Sequence, residues 1–227
     1  MIGASTRLVA LLGHPVAHSL SPRMQNAAFA ARGLDWAYVA LDVPPERLAE
    51  AVTGLAALGF SGANVTAPHK TAVAELVGAG LPSVNTLVLR DGRLQGFSTD
   101  AAILAGLDAE RPVIVGDGGA AAAFREALPH ARVFSRRGAW PPEAGDADLV
   151  VNATPVRDHV LADLTAAQTL VDLPYPRSAT ADAAAAAGAR VFDGLEVLVA
   201  QGAASFELWT GLPAPVPAMR RALGLAG

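Results

Sequence analysis

The sequence predicts an α/β protein of two lobes, the second of them Rossmann-like. Short apolar runs alternate with helix-patterned segments along nearly the whole chain, the pattern of parallel strands joined by crossover helices. Val113-Ile114-Val115 runs directly into Gly116-Asp117-Gly118-Gly119 and an alanine-rich stretch. In the first hundred residues, polar residues follow the ends of apolar runs, the position where parallel α/β folds bind ligands.

In the first lobe, Leu8–Leu12 reads as a strand, followed by a helix from Ser21 and Pro22 to about Ala31 with Ser21 as its N-cap. Trp36–Leu41 is a second strand, and Pro45–Leu58 a helix stopped by Gly59. Gly62–Thr66 is a short strand, with a helix after Pro68. Val84–Leu89 and Leu94–Phe97 flank Asp91-Gly92, a hairpin signal. Thr99 is expected to cap a helix through about Leu107. A second unit begins at Pro112, with further strands at Arg132–Phe134, Leu149–Val151, Leu170–Leu173 and Arg190–Phe192 and a helix over Ser178–Ala187. Leu195–Leu208 and Val216–Leu223 complete the chain as helices. The expected division is a domain over residues 1–101, a dinucleotide-binding domain over 102–194, and C-terminal helices over 195–227 packing back onto the first.

Composition narrows the function. A chain of 227 residues with 52% hydrophobic and 17% charged residues has ample material for a core. No run approaches the roughly 18 apolar residues of a membrane span. Leu8–Leu12 meets Gly13-His14-Pro15 too soon for a signal peptide, so a cytoplasmic location is expected. Zero cysteines exclude disulfides, thiolate metal sites and cysteine nucleophiles. A net charge of −4 gives no electrostatic footprint for nucleic acid. His14, His18 and His69 lack metal-ligand spacing, so no metal is expected.

Gly116-x-Gly118-x-x-Ala121 lies between a strand and a helix, the context that gives this pattern meaning. Gly116 permits the tight turn, Gly118 the approach of a diphosphate, and Ala121 close helix–strand packing. An ordinary glycine-rich turn would read the same way. About 20 residues on, where an NAD site offers a carboxylate, stand Ser135-Arg136-Arg137. Paired guanidiniums suit a 2′-phosphate, hence NADP, although a solvated basic turn has the same composition. Asp117 places a carboxylate inside the loop; facing the diphosphate it repels, facing outward it is harmless.

The first lobe carries a second cluster. Ser19 and Ser21 precede a helix whose free N–H groups, with two hydroxyls, suit a small carboxylate. Asn64, Thr66 and Lys70 follow a strand end, and Asn85 and Asp100 complete a set suited to a polyhydroxylated substrate. Lys70 is placed to move a proton if Asp100 orients it; taken alone it reads as a solvated charge.

In order along the chain, Gly13-His14-Pro15-Val16-Ala17-His18-Ser19-Leu20-Ser21-Pro22, Asn64-Val65-Thr66-Ala67-Pro68-His69-Lys70, Val84-Asn85-Thr86, Gly96-Phe97-Ser98-Thr99-Asp100, Asn152-Ala153-Thr154-Pro155, Asp193-Gly194-Leu195 and Gln201-Gly202-Ala203-Ala204-Ser205-Phe206 resemble the shikimate dehydrogenase family. The resemblance implies NADPH-dependent reduction of 3-dehydroshikimate to shikimate, in aromatic amino-acid biosynthesis. It implies Lys70 and Asp100 as the catalytic pair. Ser19 and Ser21 would hold the substrate carboxylate with Tyr175, and Asn64, Thr66, Asn85, Asp100 and Gln201 the ring hydroxyls. Gly116, Gly118, Gly119, Ala120, Ala121, Ser135, Arg136, Arg137, Thr154 and Gly194 would hold NADP. The expected assembly is a monomer or homodimer with a small-molecule substrate.

The sequence departs from the family pattern in the shortened stretch after Lys70, at Pro82-Ser83, and at Ser98, Gln25, Ser135, Val197 and Asp117. Two alternatives follow: a relative acting on quinate or a similar cyclic hydroxy acid with NAD, or a binding protein that keeps the substrate pocket without productive cofactor binding.

Overall fold

The computed structural model describes residues 2–226. The chain divides into two compact units, Met1–Thr99 with Val199–Gly227, and Asp100–Leu198.

The first unit holds a five-stranded sheet. Its strands are β1 (Arg7–Gly13), β2 (Trp36–Asp42), β3 (Gly62–Val65), β4 (Thr86–Arg90) and β5 (Arg93–Phe97), in the order β2-β1-β3-β4-β5. β1 pairs in parallel with β2 and β3, and β4 runs antiparallel to β3 and β5. The β4–β5 turn places Asp91 and Gly92 at φ of 49° and 75°, the two positive values that a two-residue hairpin of matching twist requires. The helices are α1 (Ser21–Ala31), α2 (Leu48–Ala57) and α3 (Lys70–Leu76). Leu12, Val65, Val73, Val84 and Leu87 form the core under α2 and α3.

In the second unit the strands are β6 (Pro112–Val115), β7 (Arg132–Phe134), β8 (Leu149–Asn152), β9 (Thr169–Asp172) and β10 (Arg190–Phe192). They form an all-parallel sheet ordered β10-β9-β8-β6-β7. β6, β8 and most of β9 are buried throughout, as expected when helices cover both faces. Its helices are α4 (Gly119–Ala127) and α5 (Ala179–Ala186). α6 (Gly194–Thr210) carries the division between the units, after Leu198, and α7 (Val216–Ala222) packs on α1. Phe29 of α1 and Phe206 of α6 meet with ring centroids 5.6 Å apart.

Three local expectations are corrected. Ser21 is not an N-cap: Leu20 already has helical φ and ψ (−89°, −7°), so Ser21 is the first residue of α1. The segment after Thr99 is a 3₁₀ turn over Asp100–Leu104, not an α-helix to Leu107. Thr99 is bonded to Asn85 through both its N–H and its hydroxyl, which removes it as a cap. Finally, Val84 lies before β4, because its N–H donates to the Lys70 carbonyl (3.0 Å) outside the sheet.

Candidate active site

In the first unit, β1 lies between β2 and β3, and the connections leaving β1 and β3 emerge side by side at the carboxyl edge of the sheet. This is the switch point where open α/β sheets hold ligands. The His14 N–H donates to Ala67 (3.1 Å) and the Thr66 N–H to Leu12 (2.8 Å), tying the two connections together. Gly13 makes the approach possible, since a β-carbon there would overlap the Thr66 methyl group. One connection carries Ser19 and Ser21, the other Thr66 and Lys70.

The Ser19 hydroxyl accepts from the Ser21 N–H (3.2 Å) at the first turn of α1, and Ser21 is buried. Lys70 opens α3, which Val73 and Ala74 anchor in the core. The lysine's backbone is fixed while its side chain stays half-buried. His69 belongs to the scaffold: its buried Nε2 lies 2.7 Å from the Val43 carbonyl, joining α3 to the end of β2.

Beneath this edge lies a polar network whose extent sequence reasoning missed. Asn64 is 4% exposed. Its Oδ1 accepts from the Tyr38 hydroxyl (2.9 Å), and its Nδ2 faces the Asn85 carbonyl (3.0 Å), Thr86 Oγ1 (3.1 Å) and Ser205 Oγ (2.9 Å). Asn85 exchanges bonds with Thr99, accepting from its N–H at 2.7 Å and donating to its hydroxyl at 2.9 Å. Ser205 on α6 also donates to the Gln201 carbonyl (2.9 Å) and meets Thr86 at 2.8 Å. The signal was polar residues inside apolar strands; sharing of partners by Tyr38, Thr86 and Ser205 had none. Every hydrogen-bonding atom of the Asn64 side chain is thus engaged by protein.

In the second unit β6 lies between β7 and β8, a second switch point. The connections leaving β6 and β8 approach closely. Gly116 has φ of +127°, and a β-carbon on it would lie 3.0 Å from the Ala153 carbonyl, so both conformation and space call for glycine. α4 starts after Gly118 without a side-chain cap, and Ala121 is fully buried against the sheet. The N–H groups of its first turn therefore take no side-chain acceptor from the capping residue, the arrangement that receives a phosphate. The loop's carboxylate is turned aside: Asp117 accepts from Arg137 Nε (2.7 Å) and Nη2 (2.9 Å). These bonds hold Asp117 below the usual carboxylate range. Arg136 stands over the Trp140 ring at 5.8 Å. The glycine loop, an uncapped α4 and a guanidinium beyond β7 fit a dinucleotide.

Behind this loop, Asn152 donates to the buried Asp172 (2.7 Å), and its carbonyl oxygen accepts from the N–H (3.1 Å) and hydroxyl (2.7 Å) of Thr154. Burial raises the pKa of Asp172. Gly194 is pressed against the Pro174 carbonyl, where a β-carbon would collide. Asp193 caps α6 by accepting from Leu195 (3.0 Å) and Glu196 (3.2 Å). Tyr175 follows on the loop after β9, half-buried. Asp100 is 7% exposed in the 3₁₀ turn. Among the described residues, no group of three or more His, Asp or Glu is placed to hold a metal, and no helix is long and apolar enough to cross a membrane.

Residues 11–85 match the shikimate dehydrogenase substrate binding domain, and residues 194–223 the shikimate 5′-dehydrogenase C-terminal domain. The NADP⁺-dependent shikimate dehydrogenase of Anaeromyxobacter dehalogenans is 43% identical over 272 aligned positions, covering 98% of each chain. The chain belongs to the shikimate dehydrogenase family. A shikimate dehydrogenase crystallised with NADP⁺ superposes with a TM-score of 0.89 at 30% identity, covering 98% of this chain and 96% of that one. The Thermus thermophilus enzyme in complex with NADP(H) and shikimate gives 0.82 at 33% identity, covering 96% and 98%. The shikimate dehydrogenase architecture of an N-terminal substrate domain and a Rossmann-like NADP-binding domain is therefore that of this chain.

Proposed function

We propose that this protein catalyses the reversible NADP-dependent reduction of 3-dehydroshikimate to shikimate. The observation that carries the reading is the pairing of the β1 and β3 exits, which brings the Ser19 and Ser21 hydroxyls to the same sheet edge as Thr66 and Lys70. A helix start with two hydroxyls suits the ring carboxylate and Thr66 suits a ring hydroxyl; Asn85, its amide bonded to Thr99, is assigned to the ring hydroxyls on the family motif. Gln201, on the helix that anchors the Ser205 network, is assigned with them. Asn64, its amide engaged by Tyr38, Asn85, Thr86 and Ser205, acts one layer beneath by fixing the strand that presents Thr66.

Lys70 donates a proton to the carbonyl oxygen of the substrate during reduction and accepts it back during oxidation. Asp100 is its partner in the catalytic pair; this role and that of Tyr175 at the carboxylate rest on the family motif. NADPH, when bound, supplies the hydride. Gly116, Gly118, Gly119, Ala120 and Ala121 present the diphosphate site, Ser135 and Arg136 the approach to the 2′-phosphate, and Thr154 and Gly194 the surrounding loop edges.

The test follows absorbance of the reduced nicotinamide while purified protein is mixed with shikimate and NADP⁺, then with NAD⁺, then with quinate. Reduction with shikimate and NADP⁺ is expected to dominate. Lys70→Ala is expected to lower kcat by roughly 10²–10⁴-fold, the usual contribution of a positioned acid–base group, while shikimate affinity persists. Folded protein that binds shikimate and is silent with every pair overturns the reading.

A further inference from the structure

Asp117 lies immediately before Gly118, the N-cap of α4. A carboxylate there has two stable positions. Turned toward the first helical turn it would cap the N–H groups and occupy the phosphate site. Turned outward it needs another partner. The structure shows the second, with both oxygens taken by one guanidinium, Nε–Oδ2 at 2.7 Å and Nη2–Oδ1 at 2.9 Å. The Ser135 hydroxyl contributes, after Arg137, to holding the carboxylate below its usual range. Arg136, the adjacent residue, faces elsewhere, over Trp140. Two neighbouring arginines, identical in composition terms, thus sit in different electrostatic settings.

We propose that Arg137 does not read the 2′-phosphate but neutralises Asp117, keeping the diphosphate site free of a competing negative charge, and that Arg136 alone carries the preference for NADP over NAD. This rests on the cofactor reading above. A bidentate arginine–carboxylate pair satisfies both oxygens in one plane, which withdraws Asp117 from the helix amides and cancels its charge beside them. Removing Arg137 leaves an uncompensated carboxylate that is free to rotate onto the α4 amides. The penalty then falls on the diphosphate, which NADP and NAD share, and not on the 2′-phosphate, which distinguishes them.

The experiment measures dissociation constants for NADP⁺ and NAD⁺ by isothermal titration in the absence of substrate. It compares the full-length protein with Arg136→Ala, Arg137→Ala, Asp117→Ala and the double variant Asp117→Ala/Arg137→Ala. These side chains are exposed or half-exposed, and unfolding temperatures within about 2 °C of the parent would confirm intact folding. Arg137→Ala is expected to weaken both dinucleotides by a similar factor, on the order of tenfold. The double variant is expected to restore both, since the charge that needed cancelling is gone. Arg136→Ala is expected to weaken NADP⁺ by on the order of tenfold or more and NAD⁺ little.

Loss of NADP⁺ affinity alone in Arg137→Ala, without rescue in the double variant, would overturn the proposal and return Arg137 to the 2′-phosphate. Unchanged affinity for both dinucleotides would overturn it equally. A parent protein that binds neither dinucleotide refutes the cofactor reading itself, and the proposal with it.

Discussion

Replacing Asn64 with alanine tests whether its amide serves the protein or a ligand. The side chain is 4% exposed and sits among Tyr38, Asn85, Thr86 and Ser205. Its two amide hydrogens serve three acceptors, so with the bond from Tyr38 it makes at most three full hydrogen bonds at once. At about 1 kcal/mol each, these amount to roughly 3 kcal/mol. The Asn85 carbonyl keeps its bond from the Val65 N–H (2.8 Å), and Thr86 and Ser205 keep one another at 2.8 Å. The Tyr38 hydroxyl loses this acceptor inside the protein, and a small void remains. The expected total is about 3–4 kcal/mol, equivalent to a fall in Tm of roughly 6–16 °C for a chain of this size. Urea unfolding followed by tryptophan fluorescence is suited to the measurement, because Trp36 and Trp209 lie in the same unit as Asn64. Tyr38→Phe removes the bond shared with Asn64 and is expected to cost about 1 kcal/mol, with the double variant costing less than the sum. A loss below about 1 kcal/mol for Asn64→Ala, at unchanged slope in denaturant, would refute the reasoning.

Two further outcomes follow from the packing. Gly62→Ala would place a β-carbon against the Leu87 carbonyl and the Trp209 indole, where the indole N–H donates to that same carbonyl at 2.9 Å. A loss of about 3 kcal/mol or more is expected in the same urea assay, because either the strand or the indole must move. Asp172→Asn keeps an acceptor for Asn152 while removing a carboxyl group whose pKa burial raises. A raised carboxyl pKa means the folded state holds its proton more tightly, so the parent loses stability as pH rises from the unfolded value through the folded one. The variant is expected to lack that loss, so its stability relative to the parent should grow across this window and then level off. A pH-independent difference between the two would refute the assignment.

Most strands were legible in the sequence. β7 and β10 lie at the residues read from the sequence, and β1, β2, β3, β6, β8 and β9 within about a residue at each end. The reason is that buried parallel strands are short continuous apolar runs, which local pattern detects. The misreadings share a cause. Ser21 as a cap, Thr99 as a cap and Val84 as a strand residue were each reasonable from neighbours in the chain. Each is overruled by geometry that residue type does not reveal: the helical φ and ψ of Leu20, the Asn85 amide on Thr99, and the Lys70 carbonyl on Val84.

The candidate site divides in the same way. The residue types of the substrate cluster, the glycine loop and the basic pair after β7 were all readable, because each is a local run with a chemical purpose. So was the ambiguity of Asp117, a carboxylate in a phosphate loop. Which way it faced was not readable, because its partner Arg137 is 20 residues away on another connection. The same holds for Asn64, whose partner Ser205 lies 141 residues further along. By itself the sequence determined the alternation of strands and helices, the family and the side chains available for chemistry, since these depend on local pattern and motif order. Only the tertiary structure decided which of those side chains face one another. Hydrogen bonds and ion pairs form between atoms near in space, and the distance along the chain does not enter their energy.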